Sequence, residues 1–204
     1  LGQSLVMQKL RVQLRQYADS PFPVLIEGES GSGKELAAAA LHKLSWRSKQ
    51  PYLTLNCAAM APTLMEPALF GHAKGAFTGA GGARGGYFDD TAAGTLLLDE
   101  IGELPLELQP KLLRVLENGE YQRIGETQSR QSRARVIAAT NRDLKQEVRA
   151  GRFRADLYEG LSVVTVTAPG WRGLGEDGLR PLDHVSRQLA DQFHDARRIP
   201  PAVV

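Results

Sequence analysis

The stretch Val24-Leu-Ile-Glu-Gly28-Glu-Ser-Gly-Ser-Gly33-Lys34-Glu35 constrains the fold more than any other part of the chain. A short apolar run, Val24 to Ile26, enters Gly28-x-x-x-x-Gly33-Lys34, and an alanine- and leucine-rich segment of high helix propensity follows from Leu36 to Leu44. Strand, glycine loop and helix in that order are the context of a phosphate-binding loop. Gly28, Gly31 and Gly33 can take backbone angles closed to other residues, so the N–H groups of Gly28, Glu29, Ser30, Gly31, Ser32 and Gly33 can turn inward around a polyphosphate. The helix starting near Lys34 adds its N-terminal partial positive charge, and the Lys34 ammonium reaches the outer phosphates. One residue departs from the general pattern: Glu35 stands where a hydroxyl would bind magnesium. Taken alone, a glycine-rich turn between strand and helix reads the same way.

A second stretch answers the first. Gly94-Thr-Leu-Leu-Leu-Asp99-Glu100 is a buried-strand pattern that ends in two acids. Ligands of an open parallel sheet sit at the carboxyl ends of its strands, which puts Asp99 on the same edge as the loop after Ile26. Asp99 is the candidate Mg²⁺ residue, directly or through water. Glu100 is placed to polarise a water against a γ-phosphate. Two solvated acids at a strand end are the plain alternative. Together the stretches predict nucleoside triphosphate hydrolysis.

Composition excludes several other classes. The 204 residues suffice for one domain with a real core, and a net charge of +2 is too small to argue for a nucleic-acid surface. Cys57 is the only cysteine, so no intramolecular disulfide forms and a reducing compartment fits. His42, His72, His184 and His194 show no metal-ligand spacing. There is no apolar run of membrane-spanning length and no signal-peptide pattern, so a cytoplasmic protein is expected. Both ends read as cut.

In chain order, Met7, Leu10, Leu14 and Tyr17 fall at helical spacing, and Ser20-Pro21-Phe22-Pro23 ends that helix. Pro51 to Leu55 reads as a strand. Ala61 to Phe70 is at best a short helix, with Pro67 a break. Gly71 to Gly86 holds too many glycines for a helix or strand interior and predicts a flexible loop. A helix around Leu108 to Leu116 stops at Gly119, Tyr121 to Ile124 is a short strand, and Ala134 to Asn141 is a clearer one. Asp143 caps a helix to about Ala150, Val163 to Thr167 is the last strand, and Leu182, Val185, Leu189 and Phe193 mark a final helix. Strands alternating with helices predict an α/β fold with a parallel sheet covered on both faces.

Gly75-Ala-Phe-Thr-Gly-Ala80 brings a family into view. From about residue 1 to 168 the chain closely resembles the AAA+ domain of bacterial sigma-54-dependent transcription activators, the enhancer-binding proteins. Gly28 to Glu35 resembles that family's phosphate loop, in which Glu after the lysine is normal. Leu55-Asn-Cys-Ala-Ala59, Leu69-Phe-Gly-His72, Leu98 to Pro105, Ala138 to Asp143 and Phe153-Arg-Ala-Asp-Leu-Tyr158 resemble further family motifs. The resemblance implies a P-loop NTPase fold, a parallel five-stranded sheet sandwiched by helices with the start of a C-terminal helical lid. It divides the chain into an ATPase subdomain over 1–170 and a linker with the first lid helix over 171–204. It implies ATP and Mg²⁺ as cofactors and hydrolysis at a subunit interface of a hexamer or heptamer ring.

By the same resemblance, Asn56 holds the catalytic Glu100 until the nucleotide state releases it, and Asn141 with Thr140 senses the γ-phosphate. Arg154 matches an arginine finger reaching into the neighbouring subunit. Gly75, Ala76, Phe77, Thr78, Gly79 and Ala80 form the loop that grips sigma-54, Phe77 and Thr78 at its tip, and Glu103 to Pro105 form a second loop supporting it. The implied partners are the sigma-54 factor and RNA polymerase holoenzyme. DNA is met only through a helix-turn-helix domain that this chain lacks, and no membrane is involved.

The chain also departs from the pattern. After Asp156-Leu-Tyr158 the family carries a second finger arginine, where this chain has Glu159-Gly160-Leu161. A well-placed arginine contributes on the order of 10³–10⁵ in phosphoryl-transfer rate. The Pro169-Gly-Trp-Arg-Gly-Leu174 stretch keeps only Arg172, and Gly170, Gly173, Gly175 and Gly178 loosen the path to the lid. Weak hydrolysis is therefore expected, and a nucleotide-binding regulatory fragment is the alternative reading. An unrelated phosphate-loop protein, such as a helicase or small-molecule kinase, is argued against by the loop at residues 75–80.

Overall fold

The computed structural model describes residues 5–76 and 82–169. Along the chain come α1 (Leu5–Tyr17), β1 (Val24–Glu27), α2 (Lys34–Leu44), β2 (Tyr52–Asn56), α3 (Pro62–Phe70), α4 (Tyr87–Thr91), β3 (Thr95–Asp99), a 3₁₀ turn (Ile101–Glu103), α5 (Gln109–Asn118), β4 (Glu120–Tyr121), β5 (Arg130–Gln131), β6 (Arg135–Thr140), α6 (Leu144–Arg149), α7 (Ala155–Leu161) and β7 (Thr165–Thr167). The main sheet has five strands in the order β2-β3-β6-β1-β7, and every neighbouring pair is parallel. This is the predicted α/β, P-loop NTPase architecture.

Successive side chains of a strand point to opposite faces, and both faces here are covered, so the strands read as unbroken apolar runs. Leu25, Leu55, Leu96, Leu98, Val136 and Ala138 pack on one side with Leu69, Phe70, Leu112 and Leu157 of the helices. Val24, Ile26, Leu97, Ile137, Ala139 and Val166 face the other side, against Leu10 and Leu14 of α1 and Ala38 and Leu41 of α2. Register aligns the strand ends: Glu27 lies opposite Thr140 and Thr167, and Asn56 opposite Asp99. All five strands therefore deliver their next residues to one edge.

At the other end of the sheet, buried Arg135 donates to the carbonyl oxygens of Tyr17 and Ala18 where α1 closes. A cation satisfying the last carbonyls of a helix fixes α1 against the sheet. Burial pushes the Arg135 guanidinium down to about 10.

Several elements differ from the sequence expectations. Pro67 does not break α3, which runs on to Phe70. A proline inside a helix costs about 3 kcal/mol, whereas burying Met65, Leu69 and Phe70 at about 1.5–3 kcal/mol each outweighs it. The strand expected from Tyr121 to Ile124 is only Glu120–Tyr121, paired antiparallel with Arg130–Gln131. The last strand starts at Thr165 rather than Val163. Helices α4 and α7 were not foreseen as helices. The Asp143 cap is present, its Oδ1 accepting from Lys145 N at 2.9 Å and Gln146 N at 3.1 Å. The lid helix expected around Leu182 to Phe193, and all of 171–204, lie outside the described residues.

Candidate active site

The loop after β1 is seated by its first residue. Gly28 N donates to Thr140 O of β6 at 3.2 Å. A Cβ at Gly28 would stand 2.7 Å from Ala168 O and 2.6 Å from Ser32 Oγ, so only glycine fits. Gly31 and Gly33 have φ of 75° and 84°, the left-handed region that other residues resist. Helix α2 then starts at Lys34, whose side chain is only 6% exposed and folds back over the loop. Its Nζ donates to Gly28 O and Glu29 O, each at 3.1 Å, and lies 3.8 Å from Glu100 Oε1.

The cradle fits a polyphosphate. Ser32 Oγ is buried with no hydrogen-bond partner, which is costly unless a ligand oxygen completes it. The Lys34 ammonium is held by carbonyls and a carboxylate inside the loop it would share with phosphate. Loop N–H groups and the start of α2 add the positive field.

The acids sit opposite. Asp99, 6% exposed, ends β3, and Asn56 Nδ2 donates to its Oδ2 at 3.0 Å. Asn56 Oδ1 in turn accepts from Ala58 N at 2.9 Å and Ala59 N at 3.1 Å. Asn56 is thus engaged with Asp99 and not, as the resemblance implied, with Glu100. The reason is register: Asn56 and Asp99 are paired residues of adjacent strands, so their side chains leave the same face together. Glu100 has already left the strand with φ 50° and ψ 50° and opens the 3₁₀ turn. Its Oε2 accepts from Asn141 N at 3.2 Å. Among the described residues no group of three or more His, Cys, Asp or Glu converges on a point. A Mg²⁺ ion at Asp99 would draw on phosphate oxygens and water, which suits its preference for few protein carboxylates.

Lys34, Glu100 and Asn141 are therefore brought together beside the Asn56–Asp99 pair, and Glu29, Ser30 and Glu35 lie on the exposed side of the same loop and helix start. Cys57 follows Asn56 and is buried. Burial, with Asp99, Glu100 and Glu103 nearby, pushes its thiol up to about 12, which leaves it unreactive.

Arg154 stands elsewhere, immediately before α7. Its guanidinium is exposed and grips Asp156, Nε to Oδ1 at 3.0 Å and Nη2 to Oδ2 at 2.6 Å. That pair holds the Asp156 carboxyl below its ordinary value. Gly160 lies within α7, where a Cβ would come 3.3 Å from Leu113 Cδ1.

Of the segment at residues 75–80, Gly75 and Ala76 are described, and Phe77, Thr78, Gly79 and Ala80 lie outside the described residues. Its base is a small knot. His72 and Arg84 exchange backbone bonds at 2.9 Å, Ile124 N donates to Gly71 O at 3.0 Å, and Ala73 N donates to Ile124 O at 2.9 Å. The turn around Ile124 thus holds the described base of the segment, while Glu103 pairs with Arg142 and Leu104 is buried. Arg123 Nη2 meets Asp89 Oδ1 of α4 at 3.0 Å, and Arg130 meets Glu126 at 2.9 Å. Burial alone would raise the Asp89 carboxyl, but Arg123, the Gly86 N–H and Tyr121 together hold it below its ordinary value. Tyr121 is pushed up to about 12 by burial and by Asp89.

Sequence reading missed this arginine–aspartate knot, Arg142 and the buried Gln109. Gln109 was legible only as a polar residue at the head of an apolar-striped helix.

Comparison with known proteins gives a consistent setting. The sequence profile described as "Sigma-54 interaction domain" matches residues 1–167. The nitric oxide reductase transcription regulator NorR2 of Cupriavidus necator is 52% identical over 179 residues, 88% of this chain and 34% of that protein. The anaerobic nitric oxide reductase transcription regulator NorR of Escherichia coli is 52% identical over 177 residues, 87% of this chain and 35% of that protein. The chain thus spans about a third of the length of these curated relatives. Among solved structures, NtrX from Brucella abortus in complex with ATP superposes with a TM-score of 0.81 at 33% identity, covering 100% of this chain and 43% of that one. The P-loop NTPase domain of an E. coli sigma-54 activator has the same fold, with a TM-score of 0.58 at 18% identity over 83% of this chain and 99% of that one.

Proposed function

The chain belongs to the sigma-54 interaction domain family of AAA+ proteins, and on that premise we propose that it hydrolyses ATP in a ring to remodel sigma-54 RNA polymerase holoenzyme in the bacterial cytoplasm. The observation that carries this reading is the convergence of Lys34, Asp99, Glu100 and Asn141 on one sheet edge beside a phosphate-shaped loop. Residues 1–170 form the ATPase subdomain in this reading, and 171–204 a linker and the first helix of the lid.

Each group has a task its geometry suits. The N–H groups of residues 28–33 and Lys34 hold the β- and γ-phosphates. Mg²⁺, when bound at Asp99, neutralises charge on the phosphate oxygens. Asn56 fixes Asp99 by one oxygen. Glu100 takes a proton from the attacking water. Its carboxylate now spans Lys34 and Asn141 N, so both contacts are remade when a γ-phosphate enters. Arg154 cannot serve its own loop from the head of α7 while gripping Asp156; it fits a finger offered to a neighbouring subunit of a hexamer or heptamer. The loop Gly75 to Ala80 is the lever that grips sigma-54.

Steady-state ATP hydrolysis against protein concentration tests this. A rate per subunit that rises with concentration and is lost on Arg154→Ala supports a shared site; a concentration-independent rate overturns it. Capture of a sigma-54 fragment with a transition-state nucleotide analogue, lost on Thr78→Ala, tests the lever.

A second reading is a nucleotide-binding regulatory fragment with impaired hydrolysis, favoured by Gly160 in place of a second finger. Gly160→Arg separates the two. The Cβ it adds needs only a small shift of Leu113, so a jump in rate supports the ring reading. A flat, near-zero rate in both chains supports the fragment.

A further inference from the structure

We propose that Gln109 is the positioning residue that sets the finger Arg154 by reference to the acidic turn at Glu100. The proposal rests on the reading of Arg154 as a finger that works in the neighbouring subunit's site.

Gln109 is the first residue of α5 and is fully buried. Its Nε2 donates to Leu104 O at 3.0 Å and to Arg152 O at 3.2 Å, and its Oε1 accepts from Arg154 N at 2.8 Å. These partners fix the amide orientation. Exchanging oxygen and nitrogen would set a carbonyl against two carbonyls and an NH₂ against an N–H.

The three partners belong to two functional segments. Leu104 closes the 3₁₀ turn that Glu100 opens, with Glu103 N donating to Glu100 O at 2.9 Å and Leu104 N to Ile101 O at 3.0 Å. Arg152 and Arg154 flank buried Phe153 at the root of the finger. One side chain thus joins the turn that carries the general base to the backbone N–H of the finger residue. A parallel route runs at the surface, where Arg142, next to Asn141, pairs with Glu103 and Glu147, and Glu147 holds Arg152 at 2.7 Å. Water and salt screen that route; the buried amide is not screened.

A shift of the Glu100 turn therefore moves Leu104 O, and Gln109 carries it to Arg154. The nucleotide state of one subunit sets the finger it presents to the next.

Pairwise mixing of inactive chains tests this. Gln109→Met keeps the side-chain volume and removes all three bonds. Alone it is expected to lose on the order of 10²-fold in ATP hydrolysis, the scale of a misplaced catalytic group, with binding of a fluorescent ADP unchanged. Mixed with Glu100→Gln, whose finger is intact, hydrolysis should recover, because the Gln109→Met subunit has a working site of its own. Mixed with Arg154→Ala it should not recover. Failure of the Glu100→Gln mixture to recover, while Arg154→Ala is rescued by the same partner, overturns the proposal and leaves the finger reading intact. Failure of Arg154→Ala to be rescued, or a parent chain that never turns over ATP, overturns the finger reading and the proposal with it. If Gln109→Met does not fold by circular dichroism, Gln109→Asn, whose amide is one methylene too short to reach Leu104 O, Arg152 O and Arg154 N together, carries the same expectations.

Discussion

Asn56 and Asp99 are bonded across adjacent parallel strands at 3.0 Å, and both ends of the Asn56 amide are occupied. Moving the amide to Glu100 would break three hydrogen bonds, one of them to a carboxylate. In this structure the Asn56 amide supports the Asp99 carboxylate, the metal-side acid of the proposed function.

Replacing it should therefore act on magnesium. Asn56→Ala is expected to weaken the Mg²⁺-dependent part of nucleotide affinity by roughly 10- to 100-fold, the range for lost partners of metal ligands, and to leave affinity in EDTA unchanged. Fluorescent-nucleotide titrations with and without Mg²⁺ read this directly. An unchanged Mg²⁺ dependence would show that Asp99 needs no support.

Glu100 is a non-glycine residue at φ 50°. That conformation costs a side-chain-bearing residue about 1–2 kcal/mol. Glu100→Gly should accordingly melt higher than Glu100→Ala, by about 2–4 °C per kcal/mol for a domain of this size. Both should bind nucleotide and neither should hydrolyse it. Equal melting temperatures in a thermal-shift assay would mean that the backbone at this position carries no strain.

Asp89 ties α4 to the turn around Ile124, which bonds Gly71 and Ala73 ahead of the segment at 75–80. Asp89→Ala removes the nearer of the two acidic partners of Arg123, leaving Glu126 at 3.8 Å, and should cost about 1 kcal/mol. The turn should loosen first, so trypsin should cut after Arg123 and Arg130 faster while nucleotide affinity stays the same. Unaltered cleavage kinetics would place the stability of that turn in its backbone bonds alone.

His42 is buried, with Nδ1 2.9 Å from Thr95 Oγ1 and its ring beside Tyr52. Burial first, then Lys43 and Arg135, hold it below 6.5. Its folded value lies below its unfolded one, so its contribution to stability is present above about pH 6.5 and is lost as pH falls through the folded value. Urea unfolding should show stability dropping from pH 7.5 toward pH 5, with a shallower drop in His42→Gln. Identical slopes would rule His42 out as a source of that loss.

The nucleotide edge was legible because its constraints are local. Gly31 and Gly33 need left-handed backbone, Lys34 follows them, and Leu96 to Asp99 is a buried strand ending in acids; each fact sits within a few residues. Asn56 and Asp99 were both singled out, but their partnership depends on strand register, which joins residues 43 apart and is set by the whole sheet. Gln109 and Arg154 are 45 apart, and the amide gives no periodic or compositional sign of its three bonds. Helices α4 and α7 are short, at 5 and 7 residues, too brief for periodicity to declare them. Pro67 misled because propensity is a local penalty and burial of Met65, Leu69 and Phe70 is a tertiary gain.

Gly28 touches the chain as it leaves the last strand: Ala168 O lies 2.7 Å from where a Gly28 Cβ would be, and Ala168 N donates to Glu27 O at 2.8 Å. The floor of the phosphate cradle and the exit of β7 are a single piece of backbone masonry. Any side chain at position 28 would press on both the carbonyl and the methyl of Ala168, so the seat of the loop and the exit of β7 are set together.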